Sequence, residues 1–208
     1  TFATPINQRP LALGADLVLH SATKFLGGHS DAMGGVLYGP AELIRKVFLR
    51  REITGAALDP MSAYLLIRGI KTLELRVQRQ NANALAVARF LDAHPRVSEV
   101  FYPGLEEHPN HGIARQQMRG FGGVLSFALD GGSEAVDRFL PRLRFAHLAA
   151  SLGSVGTLVG PPSTTSHVEL TAEQRAALGI PETLIRYSVG IENIEDLIVD
   201  LETALQSV

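Results

Sequence analysis

Between Pro60 and Leu91 apolar residues recur at the period of an α-helix. Leu66, Ile70, Leu73 and Val77 follow one another at steps of four, three and four, so a helix places them on one face. Gly69 weakens that helix locally. His94-Pro95 ends it, because the residue before a proline is driven out of the α region. The helix divides the chain. Ahead of it, Pro10 to Gly14 reads as a short helix closing on glycine, Asp16 to His20 and Val36 to Tyr38 as strands, and Pro40 to Arg50 as a helix. After it, strand and helix alternate: Val97 to Tyr102, His111 to Met118, Gly123 to Leu129, Ser133 to Leu140 and Phe145 to Ala150. Thr171 with Gln174 forms a capping box for a helix ending at Gly179. Leu184 to Val189 is a further strand. Asn193 caps a last helix whose stripe of Ile194, Leu197, Ile198, Leu201 and Leu205 is core packing. The expectation is an α/β chain with one unit over 1–60, a connecting helix over 61–93 and a compact α/β sandwich over 94–208.

Composition removes several function classes. The 208 residues carry 19 basic and 21 acidic side chains and a formal net charge of −2, with no dense basic stripe of the kind that grips nucleic acid. No cysteine is present, which excludes disulfides, thiolate metal sites and a cysteine nucleophile. No apolar run approaches the roughly 18 residues of a transmembrane span. His108 and His111 lie in a loop-forming His-Pro-Asn-His and lack the further ligands a metal site needs, so no metal is expected. The first residue is Thr1, and Thr-Phe-Ala-Thr-Pro reads like the middle of a protein.

The chemistry concentrates at Lys24. It follows an apolar strand, sits beside Ser21 and Thr23, and precedes Gly27 and Gly28. Continued strand alternation puts the two hydroxyls on one face and the amine on the other. Two hydroxyl donors and an amine among small residues suit an aldehyde cofactor bearing a phosphate: the hydroxyls donate to phosphate oxygens and the amine forms an imine. Burial lowers a lysine's pKa and frees that amine. The phosphate-loop pattern of nucleotide hydrolases is absent. His29, among the glycines, is read as a structural hydrogen-bond donor, with a place among the site residues as the alternative.

The longer string Ser21-Ala22-Thr23-Lys24-Phe25-Leu26-Gly27-Gly28-His29-Ser30-Asp31 resembles the lysine segment of the Cys/Met-metabolism family of pyridoxal-phosphate enzymes. That family includes cystathionine γ-synthase, cystathionine γ-lyase, methionine γ-lyase and the O-acylhomoserine sulfhydrylases. Thr1 to Pro5, Thr54-Gly55-Ala56, Arg68 to Leu73, Ser151-Leu152-Gly153 and Leu184 to Glu192 match in the same order. The resemblance implies the fold-type I architecture, with part of the large cofactor domain over 1–60 and the small C-terminal domain over 94–208. It implies that Lys24 holds pyridoxal 5'-phosphate and shuttles protons, and that Ser21 and Thr23 bind its phosphate. Arg186 would grip the substrate α-carboxylate through a bidentate pair, with Ser151 and Thr165 near the substrate. The activity implied is γ-elimination or γ-replacement on sulfur amino acids or O-acylhomoserines, in a cytoplasmic homotetramer built as a dimer of dimers.

Members of that family are longer. The half that precedes the lysine strand in them supplies a glycine-containing phosphate loop, an aromatic residue on the cofactor ring, and an Asp for the pyridine nitrogen. By the family's spacing that Asp lies just before Thr1. Residues upstream of Thr1 are therefore expected to be needed for a complete site. Ala150 stands where animal-type cystathionine γ-lyases carry Glu, while Thr54-Gly55-Ala56 leans towards methionine γ-lyases and sulfhydrylases. The competing expectation is a non-catalytic C-terminal remnant acting as an interaction or cofactor-binding module.

Overall fold

The computed structural model describes all 208 residues, and capping or turn chemistry marks several of its element ends. A short helix α1 (Thr4–Asn7) opens the chain, and a tight 3-10 turn over Pro10–Leu13 closes on Gly14 in the left-handed region. Strands β1 (Val18–Ser21) and β2 (Gly35–Tyr38) pair antiparallel, with Ser21 opposite Gly35. Helix α2 (Ala41–Thr54) runs past the expected Arg50 and stops at Gly55, whose φ of 72° suits a residue without Cβ. Asp59 caps α3 (Pro60–Ile70) by accepting from Ser62 N at 2.9 Å.

The stretch from Pro60 to Leu91 is two helices rather than one, α3 and then α4 (Leu73–Asp92). The carbonyl of Gly69 explains the break. A continuing helix would offer it to Leu73 N; here it accepts from Thr72 N, from the Thr72 hydroxyl and from the guanidinium of Arg76. Leu66, Leu73 and Val77 are buried as their spacing implies, but Ile70, at the end of α3, is 41% exposed.

Beyond α4 follow β3 (Val97–Phe101), α5 (His111–Gln117), β4 (Val124–Leu129), α6 (Ser133–Phe139), β5 (His147–Leu148), β6 (Leu158–Gly160), α7 (Ala172–Ala177), β7 (Leu184–Ser188) and α8 (Ile194–Leu205). Their sheet runs β3-β4-β7-β6-β5, antiparallel except where β5 meets β6. The expected strand over Phe145 to Ala150 shrinks to β5, and β6 lies where no strand was expected. The capping box at Thr171 and the Asn193 cap both form as read.

Two apolar clusters divide the interior. The larger joins α4, α6 and α8 to the sheet through Val87, Leu91, Phe127, Phe139, Tyr187 and Leu201. The smaller gathers Ala22, Phe25, Leu26, Leu66, Leu73, Val77 and Leu152 around the segment that carries Lys24. Helix α4 contributes to both. Between its apolar positions it carries a buried polar stripe, Arg76, Gln80 and Asn83, each donating to main-chain carbonyls of a different loop. No helix is long and apolar enough to cross a membrane.

Candidate active site

Strand β1 ends at Ser21, and residues 22–26 form one wide turn of π type, closed by Gly27 N donating to Ala22 O at 2.8 Å. Strand alternation therefore does not continue through Thr23 and Lys24, and the two-faced arrangement expected from it does not arise. Lys24 leaves helical geometry within the turn, with φ −88° and ψ −128°. Its Nζ donates to Ser151 Oγ at 2.9 Å, which joins segments 127 residues apart in the chain.

Strand β7 presents Arg186 and Ser188 on one face, while Ile185 and Tyr187 point into the larger core. Arg186 Nη2 donates to Ser151 O at 3.0 Å and to Ala149 O at 3.4 Å. Its Nε is buried without a partner, and Nη1 makes no hydrogen bond. Ser188 Oγ accepts from Gly153 N at 2.8 Å. Two neighbouring side chains of one strand thus hold both ends of Ser151-Leu152-Gly153. Burial, and then the positive charge of Arg186, hold the Lys24 amine below its ordinary pKa. Burial also lowers that of Arg186.

The other expected site residues are placed differently. Thr23 Oγ1 accepts from Gly34 N at 3.0 Å and faces Gly34 O at 3.5 Å, so its hydroxyl is partly committed to the turn. Ser21 Oγ makes no hydrogen bond; only the Ser21 N–H is engaged, by Thr1 Oγ1. A cleft of about 530 Å³ opens beside Thr23 and Ser151, with Ser30, Asp31, Asp59 and Ser62 in its wall. Thr165 stands outside the hydrogen-bonded group. Its hydroxyl donates to Pro161 O at 2.7 Å, and its methyl fills the space a side chain at Gly160 would need. Gly160 is the β6 partner of Arg186. His29 Nδ1 bonds Gly27 O, and His111 Nδ1 bonds Pro103 O, both loop contacts.

The donor set fits pyridoxal phosphate. A lysine amine with a lowered pKa lies near a guanidinium that has an unpartnered, buried N–H, and Ser21, three residues before that lysine in the chain, has an uncommitted hydroxyl. An orphaned buried donor is costly and calls for an acceptor such as a carboxylate. Sequence reading missed the supporting roles of Ser188, Gly153 and Arg76: Gly153 N donates to Ser188 Oγ across 35 residues of chain, and Arg76 holds the Phe25 and Leu26 carbonyls 51 and 50 residues away.

The comparisons with known proteins cover the whole chain. The sequence pattern described as Cys/Met metabolism PLP-dependent enzyme matches residues 1–206. The chloroplastic cystathionine gamma-synthase 1 of Nicotiana tabacum is 50% identical over 208 residues, which is all of this chain and 38% of that protein. The L-methionine gamma-lyase of Fusobacterium nucleatum subsp. polymorphum is 48% identical over 211 residues and is covered to 53%. The crystal structure of cystathionine gamma synthase from Xanthomonas oryzae pv. oryzae in complex with cystathionine matches with a TM-score of 0.96 at 45% identity, over 100% of this chain and 54% of that one. The chain thus spans about half the length, or less, of the curated relatives it matches. The expected α/β fold of type I is the fold of these structures. Pattern, whole-chain identity and fold agree, and the chain belongs to the Cys/Met metabolism PLP-dependent enzyme family.

Proposed function

We propose that the protein uses pyridoxal 5'-phosphate, bound at Lys24, to eliminate or replace the γ-substituent of a sulfur amino acid or an O-acylhomoserine. The observation that carries this reading is the Lys24 Nζ to Ser151 Oγ bond of 2.9 Å, on a loop whose Ser151 carbonyl is held by Arg186. When bound, the cofactor supplies an electron sink that lets the Cα–H bond and then the γ-bond of the substrate break. The residues supply the rest. Lys24 Nζ, with its lowered pKa, takes and returns protons at Cα. Arg186 receives the substrate carboxylate on its unpartnered N–H groups. Because Arg186 also holds the Ser151 carbonyl, carboxylate binding and the Lys24–Ser151 contact are mechanically joined. Ser21 and Thr23 serve the phosphate, Ser21 with its free hydroxyl. Thr165 enters through its methyl against Gly160, since Pro161 takes its hydroxyl.

Convergence of Lys24, Ser151 and Arg186 speaks for catalysis over a non-catalytic remnant, which has no physical need of all three. The proposal extends to a cytoplasmic homotetramer, a dimer of dimers. Phe48, Ile53, Tyr64 and Ile67, exposed on α2 and α3, give such an assembly apolar surface. Sedimentation of the purified protein tests the assembly, and cell fractionation tests the compartment.

The deciding experiment adds pyridoxal phosphate, records the visible spectrum, reduces with borohydride and maps the label. A yellow band with the label on Lys24 is expected, followed by turnover of at least one of methionine, cystathionine and O-acylhomoserines. Label scattered over surface lysines would overturn the reading.

A further inference from the structure

Arg76 is 4% exposed, yet no carboxylate lies within ion-pair distance of it. A buried, unpaired guanidinium is expensive unless its donors are satisfied. Here they are, almost wholly by main chain. Nη1 donates to Phe25 O at 2.8 Å, and Nη2 to Gly69 O at 2.8 Å and Leu26 O at 3.4 Å. Nε donates to Thr72 Oγ1 at 3.1 Å. The planar fork therefore joins the two residues after Lys24 to the break between α3 and α4. Small residues let the backbones approach it: a Cβ on Gly28, at φ +74°, would overlap Arg76 Nη1, and a Cβ on Gly69 would overlap Gly27 O.

The turn so held is the one whose lysine must meet Ser151. Its other side is fixed by the Ser151 loop, since Val155 N donates to Gly28 O at 2.8 Å and an added Cβ on Gly153 would stand 2.7 Å from Phe25 N. We propose that Arg76 is a positioning residue for Lys24: it clamps the Phe25 and Leu26 carbonyls so that the lysine turn presents Nζ to Ser151. The inference rests on Lys24 being the working lysine of the proposed function. Lysine cannot replace Arg76, because its donors spring from one point and do not reach carbonyls that diverge around a flat fork.

The test separates positioning from plain stability. Arg76→Lys, Arg76→Gln and, for an intermediate loss, Thr72→Val are compared with wild type at a temperature where thermal melts show all to be folded. Asn83→Ala is the control, since it removes a buried anchor of the same helix that touches Gly190 and Glu192 rather than the lysine turn. The first readout is competitive acylation of Lys24 against pH in cofactor-free protein, followed by mass spectrometry. In wild type the amine titrates below the ordinary lysine value. In the Arg76 variants its midpoint moves up towards that value, and labelling at a fixed lower pH falls about tenfold for each pH unit the midpoint climbs. Asn83→Ala leaves it in place. In the cofactor-loaded protein, kcat falls about 100-fold while KM, governed by Arg186, changes less than about threefold. Lower melting temperatures with an unmoved Lys24 titration and unchanged kcat would overturn the proposal. Should wild type fail to take the cofactor at Lys24, the functional reading falls, and the acylation profile alone decides the role of Arg76.

Discussion

Gly153 N donates to Ser188 Oγ at 2.8 Å, and Ser188 is fully buried. This bond is the counterpart, two residues along β7, of the one from Arg186 to the Ser151 carbonyl. The loop that receives Lys24 is thus fastened at both ends to a strand buried in the sheet, so its position depends on contacts distant in the chain as well as on its own Leu152 and Gly153.

Ser188→Ala removes the acceptor and leaves the Gly153 N–H buried and unsatisfied. The expected cost is about 1–3 kcal/mol, the penalty for an orphaned buried donor. Urea unfolding of the variant measures it. A change within experimental error would show that the loop is held by other means.

Gly153→Ala should be worse for the site than for the fold as a whole. Gly153 has φ +79°, and the new Cβ would meet Phe25 N at 2.7 Å and the Phe25 ring at 2.8 Å. Phe25 is the residue after Lys24, so relief of the overlap moves the lysine turn itself. The expected outcome is a loss of about 1–3 kcal/mol from overpacking and left-handed strain, together with loss of the distinctive Lys24 acylation profile. Circular dichroism and urea unfolding check the first part, and peptide mapping the second.

What the sequence made legible and what it hid follow from the range of the interactions. The caps at Thr171 and Asn193 are local side-chain-to-backbone bonds and could be read directly. The Leu66, Leu73 and Val77 face could be read because burial follows helical period. The break after Ile70 could not, because Gly69 weakens a helix without ending it and the competitor for its carbonyl is a side chain a full turn into α4. Leu158–Gly160 is too short a strand to show a period. Lys24, Ser151 and Arg186 could be named through resemblance. Arg76 could not be found from residue types, since its acceptors Phe25 and Leu26 are carbonyls about fifty residues away in the chain.

Arg186→Gln should act on Lys24 as well as on substrate. The guanidinium lowers the Lys24 pKa by charge repulsion, second to burial. Its removal raises the Lys24 pKa part of the way towards 10.5, the burial effect remaining. The same variant loses the partner proposed for the substrate carboxylate, so KM rises, by about 10-fold or more for a charge-assisted pair. Acylation profiles and initial rates check the two effects separately. A raised KM with an unmoved Lys24 titration would mean that Arg186 does not bear on the amine.

The depressed Lys24 pKa also makes stability depend on pH with a defined sign. The amine binds its proton less tightly in the folded protein than in the unfolded chain, whose value is 10.5. Between the lowered folded value and 10.5 the unfolded state therefore holds more protons, and stability from this group rises with pH. Below that window the folded state carries the full penalty of a charged amine held near Arg186 and partly out of water. Above it the penalty is gone. Lys24→Met abolishes the penalty and the dependence together, while the lost bond to Ser151 Oγ adds an offset that does not vary with the lysine's titration. Urea unfolding of wild type and Lys24→Met at a series of pH values from about 7 to about 11 isolates the effect, because other lysines titrate alike in both. The expected result is a wild-type-minus-variant difference that climbs in favour of wild type through the window and levels off above it. A difference that is flat, or that falls with rising pH, would show that the folded environment does not destabilise the charged amine.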